Sequence, residues 1–394
     1  MLDSVLGTVL LWVINTLVAL APFMVAALLM VFAWKLWRYY LLYIFVLQQE
    51  YVLLELKLPR EIFKSPRAME LILASMWHVV EGPPLKRLRL NNKRPWFALE
   101  IVSDGGVIHF YIRTPELFRN LVESYVYANY PDVEVGEVPD YTLKVPYGQE
   151  GSDWDLDALE FKLAKEDAIP LKTYVDYGLA DDPKEEFKLD PLVSLLEHMS
   201  TCAADEKLWF QIIITASKSD KWKEEGVELV NKLLERGNKD AGQDFSRIFP
   251  SKVEGETVEA IQRSIDKLGF MAGVRAMYLF KEGKEDKRKS IGLYGSTKAF
   301  GSTHLNTLIK AKDLGYPYVW MDPFGLKATK DKQEIFRGYV SRSYFYPPVK
   351  RNDVFILTTE EIATLFHLPG SVANVPTLPR IESKSGDAPS NLPI

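Results

Sequence analysis

The residues that could do chemistry are few and scattered. Asp153, Asp155 and Asp157 alternate within Gly-Ser-Asp-Trp-Asp-Leu-Asp, the nearest approach to a calcium loop. A calcium loop also needs a central glycine for its sharp turn and a closing bidentate glutamate. Both are missing, so the stretch reads as a solvated loop between domains. Gly292-Leu-Tyr-Gly-Ser-Thr-Lys298 holds the residue types of a phosphate cradle but in the wrong order and spacing. The sequence has no G-x-G-x-x-G, no H-E-x-x-H and no G-x-S-x-G. Its five histidines, His78, His109, His198, His304 and His367, fall on separate expected elements. His78 and His198 come near helix ends, where a cation suits the negative terminus. Cys202 is the only cysteine, which excludes an internal disulfide and a cysteine metal cluster. No catalytic residue, metal ligand or cofactor is assigned, and the expectation is a protein that is not an enzyme. An enzyme with an unrecognised site between two domains stays open as the alternative.

Two basic clusters remain. Lys86, Arg87, Arg89, Lys93 and Arg94 lie between an expected helix and strand. Their loop is expected at the membrane-proximal edge of its domain, where anionic headgroups attract each basic residue by about 1 kcal/mol. Phosphates of nucleic acid and plain solvent are the other readings, and direct nucleic-acid contact is left open. Lys284, Lys287, Arg288 and Lys289 are interleaved with acidic residues and read as a solvated turn. The net charge of −5, from 48 Lys+Arg against 53 Asp+Glu, argues against a bulk electrostatic grip on nucleic acid. His109, Tyr111 and Arg113 alternate with Ile108, Phe110 and Ile112. They belong to the sheet face that stacks bases in some RNA-binding modules. The aromatic signature of those modules is missing, and packing is the simpler use.

The elements that must position these residues begin with a long apolar run. No charged side chain occurs between Val5 and Trp34, and about 20 apolar residues suffice to span a bilayer core. Pro22 can kink such a helix. The opening Met-Leu-Asp-Ser and the length of the run fit a cleaved signal peptide poorly. Lys35 and Arg38 follow directly, so the positive-inside rule predicts a single span of the cytoplasmic membrane, N-terminus outside and main domains cytoplasmic. The aromatic stretch to Gln49 suits the headgroup layer.

Beyond it, Tyr51–Leu58 alternates as a half-buried strand ended by Pro59. Ser65-Pro66 opens a helix through about Val80. Asp104-Gly105-Gly106 joins two strands as a hairpin, Thr114-Pro115-Glu116 opens a second helix, and Val133–Val138 gives a last strand. This is the βαββαβ order of the ferredoxin-like unit. A diverged second unit is expected from strands at Ala158–Leu163 and Thr173–Tyr177 and a helix from Asp190-Pro191. A strand at Leu208–Ala216, two helices and a strand at Phe270–Phe280 continue it. Trp96-Phe97-Ala98-Leu99-Glu100-Ile101 aligns with Trp209-Phe210-Gln211-Ile212-Ile213-Ile214. The fold class is therefore α+β: a transmembrane helix followed by two ferredoxin-like units. The expected organisation is a membrane and juxtamembrane helix over 1–49 and a first unit over 50–145. A second, with helical insertions, covers 146–368, and a Pro-rich extended tail covers 369–394.

Leu54-Glu55-Leu56-Lys57-Leu58-Pro59-Arg60-Glu61, Pro95-Trp96-Phe97, Tyr127-Ala128-Asn129-Tyr130-Pro131 and Leu357 to Pro369 carry a resemblance. So does the closing Ala388-Pro389-Ser390-Asn391-Leu392-Pro393-Ile394. Together they resemble the membrane-anchored region preceding the motor in bacterial type IV secretion and conjugative DNA-transfer ATPases of the HerA/FtsK type. In those relatives the Asn-Leu-Pro-Ile segment leads into a RecA-like motor; here it is the end of the sequence. The resemblance implies a membrane-anchored, non-catalytic adaptor for a DNA-translocating ATPase. Its expected partners are membrane lipid, a separate motor subunit and further copies of itself. A free-standing scaffold is the remaining alternative. Leu392, Pro393 and Ile394 are the expected docking residues, adding a strand to a sheet edge of the motor.

Overall fold

The computed structural model describes residues 2–59, 62, 64–78, 94–180, 189–239, 252–312, 322–351, 353–370 and 378–381. The chain divides into two compact units, residues 1–49 with 81–93, and residues 50–80 with 94–394. In the first, α1 runs from Leu2 to Leu47 with Pro22 inside it. Its stretch Leu11–Leu47 is long and apolar enough to cross a membrane. Phe23, Leu28 and Met30 leave 70% or more of their surface open, and among its described side chains the helix shows no buried stripe.

The second unit is a mixed α+β body built on one sheet. Its elements are β1 (Tyr51–Pro59), α2 (Arg67–Ser75), β2 (Phe97–Asp104), β3 (Val107–Pro115), α3 (Arg119–Asn129) and β4 (Glu134–Glu137). There follow β5 (Trp154–Leu163), α4 (Pro191–Ser200), β6 (Lys207–Ala216), α5 (Lys221–Lys239), α6 (Lys252–Ile265) and β7 (Gly269–Lys281). The last are α7 (Lys287–Ser296), β8 (Leu308–Lys312), α8 (Leu326–Val340), β9 (Phe355–Thr358), α9 (Thr359–Leu365) and β10 (Arg380–Ile381). The main path is β10-β1-β3-β2-β6-β7-β5-β8, with β4 beside β1 and β9 beside β7. Nine strands pair antiparallel, and β10 alone is parallel to its neighbour.

Period-two alternation divides the side chains between two faces. Leu54, Leu99, Phe110, Phe210 and Val274 pack on one face beneath Ile72 of α2, Val126 of α3, Leu195 of α4 and Ile362 of α9. Leu53, Val102, Tyr111, Trp209 and Met277 point to the other, against Tyr141, Val145 and Ile335 and Tyr339 of α8. The halves join through β2 and β6, where Leu99 faces Ile212, Phe97 faces Ile214 and Ile101 faces Phe210. These are the residues that the repeated Trp-Phe segments align, so equivalent positions exchange places across the junction.

Several expectations change. Thr173–Tyr177 is a turn, not a strand: Asp176 accepts from the Thr173 amide at 2.8 Å, and Gly178 closes it at φ 71°. Asp155 and Asp157 stand on β5 rather than in a loop. Lys287–Lys289 open α7 behind an Asp286 cap. The two helices expected between the strands of the second half are α5 and α6, and the edge strand β8 lies in a stretch to which the sequence assigned no element. The tail is not wholly a linker, since Leu378 is buried and β10 adds to the chain's own β1.

Candidate functional site

The face opposite α2, α3 and α4 carries a polar row. Glu55 of β1 pairs with Tyr111 of β3, which pairs with Glu100 of β2. Glu100 pairs with Gln211 of β6, Gln211 with Arg275 of β7, and Arg275 with Glu160 of β5. Strand register alone thus aligns these side chains across the sheet. The middle of the row is closed. Glu100 accepts from Arg342 at 2.9 and 3.1 Å, from Gln211 at 2.6 Å and from the Tyr141 hydroxyl at 2.8 Å. Arg275 donates to Gln211 at 2.7 Å and to the Gly338 carbonyl at 2.8 Å. Burial opposes the charge of Arg342, yet Glu100 beside it holds the guanidinium well above its ordinary value. Burial would also raise the Asp140 carboxyl, but hydrogen bonding and charge from Arg342 pull it down. Through these bonds Glu100, Gln211, Arg275 and Arg342 tie the segment around the end of α8 to the sheet.

Near Glu55 the row opens into a cleft of about 330 Å³. Its floor is Tyr111, Val102 and Trp209, and Pro139 and Tyr141 form a wall. Tyr111 lies nearly parallel to His109, 5.8 Å away, and to Tyr141, 5.2 Å away. At the rim His109 Nδ1 lies 2.6 Å from Glu55 Oε1, and Asp104 binds Lys207, with Lys144 3.6 Å from it. The hydrogen bond from His109 holds the Glu55 carboxyl below its usual range against the cost of burial. Burial likewise acts against ionised Asp104, but Lys207 lowers its carboxyl too. Burial, then the charges of Glu55 and Asp104, raise the Tyr111 hydroxyl. The cleft therefore offers an aromatic floor, one imidazole oriented by a carboxylate, and two ammonium groups, drawn from both sides of the β2–β6 junction.

Of the residues singled out in the sequence, His109 and Tyr111 reach this cleft and the other histidines do not. His198 lies 2.8 Å from the Lys289 carbonyl, His367 lies 3.0 Å from Asp190, and His78 stacks on Phe118 at 4.9 Å. Gly292 lets α7 pass beneath the His198 ring, where a Cβ would come within 2.2 Å, so that glycine serves helix packing. Asp153 and Asp155 diverge to Lys281 and Lys332, at 2.5 and 2.8 Å. The Cys202 thiol is buried and pushed up to about 11 by that burial, the opposite of an activated nucleophile. Lys86, Arg87, Arg89 and Lys93, and the docking residues Leu392, Pro393 and Ile394, lie outside the described residues. Arg94 donates to the Ala216 carbonyl at the end of β6. Sequence reading missed Glu55, Asp104, Tyr141, Lys144, Lys207 and Trp209. Only Glu55, on β1, falls in a clean alternation; the others meet it through register and a loop.

No match to the chain was found among curated proteins. Residues 50–306, more than half of the chain, match the family described as Domain of unknown function (DUF8128), and the protein belongs to that family.

Proposed function

We propose that the protein is a membrane-anchored, non-catalytic adaptor for a DNA-translocating ATPase of the type IV secretion or conjugation kind. The carrying observation is the passage from α1 into β1 across only Gln48, Gln49 and Glu50. A helix able to span a bilayer thereby feeds directly into a broad sheet whose central Glu100 is paired with Arg342. Such a body is suited to presenting surfaces at fixed spacing rather than to turning over substrate. In this reading α1 spans the cytoplasmic membrane with its N-terminus outside. Residues 50–145 and 146–368 are ferredoxin-like units. The strand orders β4-β1-β3-β2 and β8-β5-β7-β6 support that, each being the order the βαββαβ connection produces, with α5 and α6 inserted in the second. The basic loop meets headgroups, and the tail docks a separate motor subunit, with further copies of the chain completing the assembly. Affinity purification of the full chain from its native membrane, repeated after deletion of residues 385–394, tests this. The intact chain should bring down an ATPase with a phosphate-binding loop and the shortened chain should not. Absence of any such ATPase from both would end the adaptor reading.

The cleft supports a second reading, a membrane-tethered enzyme. His109 held 2.6 Å from Glu55 has the arrangement of an oriented proton acceptor. Turnover lost in a His109→Ala variant that keeps its thermal stability would favour this reading over the adaptor.

A further inference from the structure

At the end of the sheet where β1 begins, an aromatic cluster holds polar atoms that no described residue satisfies. The Tyr51 and Trp96 rings are 4.9 Å apart, and Tyr346 is 5.3 Å from Trp96. The Arg113 guanidinium carbon sits 4.0 Å from the centre of the Tyr51 ring. Register assembles the group: Arg113 of β3 faces Leu53 on one side and Ala98 on the other, while Tyr51 faces Pro115. Tyr51 Oη, Trp96 Nε1 and Arg113 Nη1 are each buried, and none has a hydrogen-bond partner among the described residues. The Trp96 amide lies near the Tyr51 hydroxyl without forming a bond of good geometry. Buried polar groups are nearly always paired, and a lone buried charge is costlier still. The carboxylates that could answer Arg113, Glu100 and Asp140, are both bound by Arg342. Burial, and then the like charge of Arg342, push the Arg113 guanidinium down to about 10.

Each orphan atom can donate, and one belongs to a cation, so the missing partner is a negatively charged acceptor. A guanidinium with hydroxyl and indole N–H groups beside it suits an oxyanion offering several acceptor atoms. Tyr51, Arg113 and Tyr346 keep part of their surface at solvent, while the three donor atoms themselves are covered. We propose that Tyr51, Trp96 and Arg113 form a binding site for an oxyanion of the phosphate class. Tyr51 follows α1 after three residues, so a lipid headgroup is one source of that phosphate and the free ion is the other.

The test uses the full chain in nanodiscs and follows the Trp96 indole N–H resonance, identified by its loss in Trp96→Phe. Inorganic phosphate titrated into phosphatidylcholine discs should move the resonance saturably if the site takes the free ion. Exchange into phosphatidylglycerol discs without phosphate should move it if the site takes headgroups. Either movement should weaken about tenfold or more in Arg113→Gln, the loss expected of a charge-assisted bond. An unchanged Trp209 resonance reports that the variant is folded; should it not be, Tyr51→Phe must weaken the response several-fold. A resonance that neither source moves, or that moves equally in the variants, overturns the proposal.

Discussion

Arg342 occupies the position just past the Ser341 cap of α8, a place glycine commonly fills, with φ at 50°. The left-handed conformation costs a residue with a Cβ about 1–2 kcal/mol. A glycine would avoid that cost but could not reach Glu100 and Asp140, to which Arg342 is bound. Removing one partner of a buried pair leaves the other uncompensated. Arg342→Met should therefore lose about 3–5 kcal/mol in chemical denaturation. Glu100→Gln combined with it should lose less than the two single changes together. His367 gives a pH signature. Its ring lies 3.0 Å from Asp190 and 2.9 Å from the Ala363 carbonyl, so both nitrogens have acceptors. Burial opposes the charged ring, but Asp190 raises His367 above its ordinary 6.5. Burial likewise opposes ionised Asp190, but His367 lowers its carboxyl below 3.8. The histidine's contribution is complete below about pH 6.5 and is lost as pH rises through its raised value. The aspartate's is complete above about pH 4 and is lost as pH falls through its lowered value. The deficit in melting temperature of His367→Gln should be greatest between those limits and shrink toward alkaline pH.

Among the elements, β7 shows how one small residue admits another segment. Gly273 faces Ile213 across the ladder, and a Cβ there would meet the Tyr344 ring within 2.5 Å. Tyr344 is itself buried and donates from its hydroxyl to the Asp353 carbonyl at 3.1 Å. Gly273→Ala should displace the ring and cost about 1–3 kcal/mol by overpacking. A variant as stable as the parent in denaturant would mean the segment after α8 is not seated by this contact. The short helix α9 is held differently. Thr358 and Glu361 form a reciprocal capping box, and Glu361 also accepts from the Leu171 amide at 2.8 Å. A cap written locally thus doubles as a tie to a distant loop.

At the scale of the whole molecule, the proposed membrane span carries an orientation. Asp3 precedes the uncharged run, whereas Lys35 and Arg38 follow it, and positive residues remain in the cytoplasm. Protease added to intact spheroplasts should leave the sheet-bearing unit uncut and digest it once the membrane is opened. Digestion in the intact spheroplasts would reverse the orientation.

The sequence by itself determined the elements with dense local signals. The membrane-length helix followed from an uninterrupted apolar run, β1 to β4 from alternation and an Asp-Gly-Gly turn, and α4 from its Asp-Pro start. Each of those signals acts over a few neighbouring residues. Only the tertiary structure decided that β2 and β6 join edge to edge and that β8 and β9 are strands at all. Short pieces such as Leu308–Lys312 and Phe355–Thr358 become strands because a neighbouring edge supplies their hydrogen bonds. The same holds for both candidate sites. Glu55 and Lys207, or Tyr51, Trp96 and Arg113, are brought together by strand register, which depends on the pairing of distant segments and leaves no periodic trace in the chain.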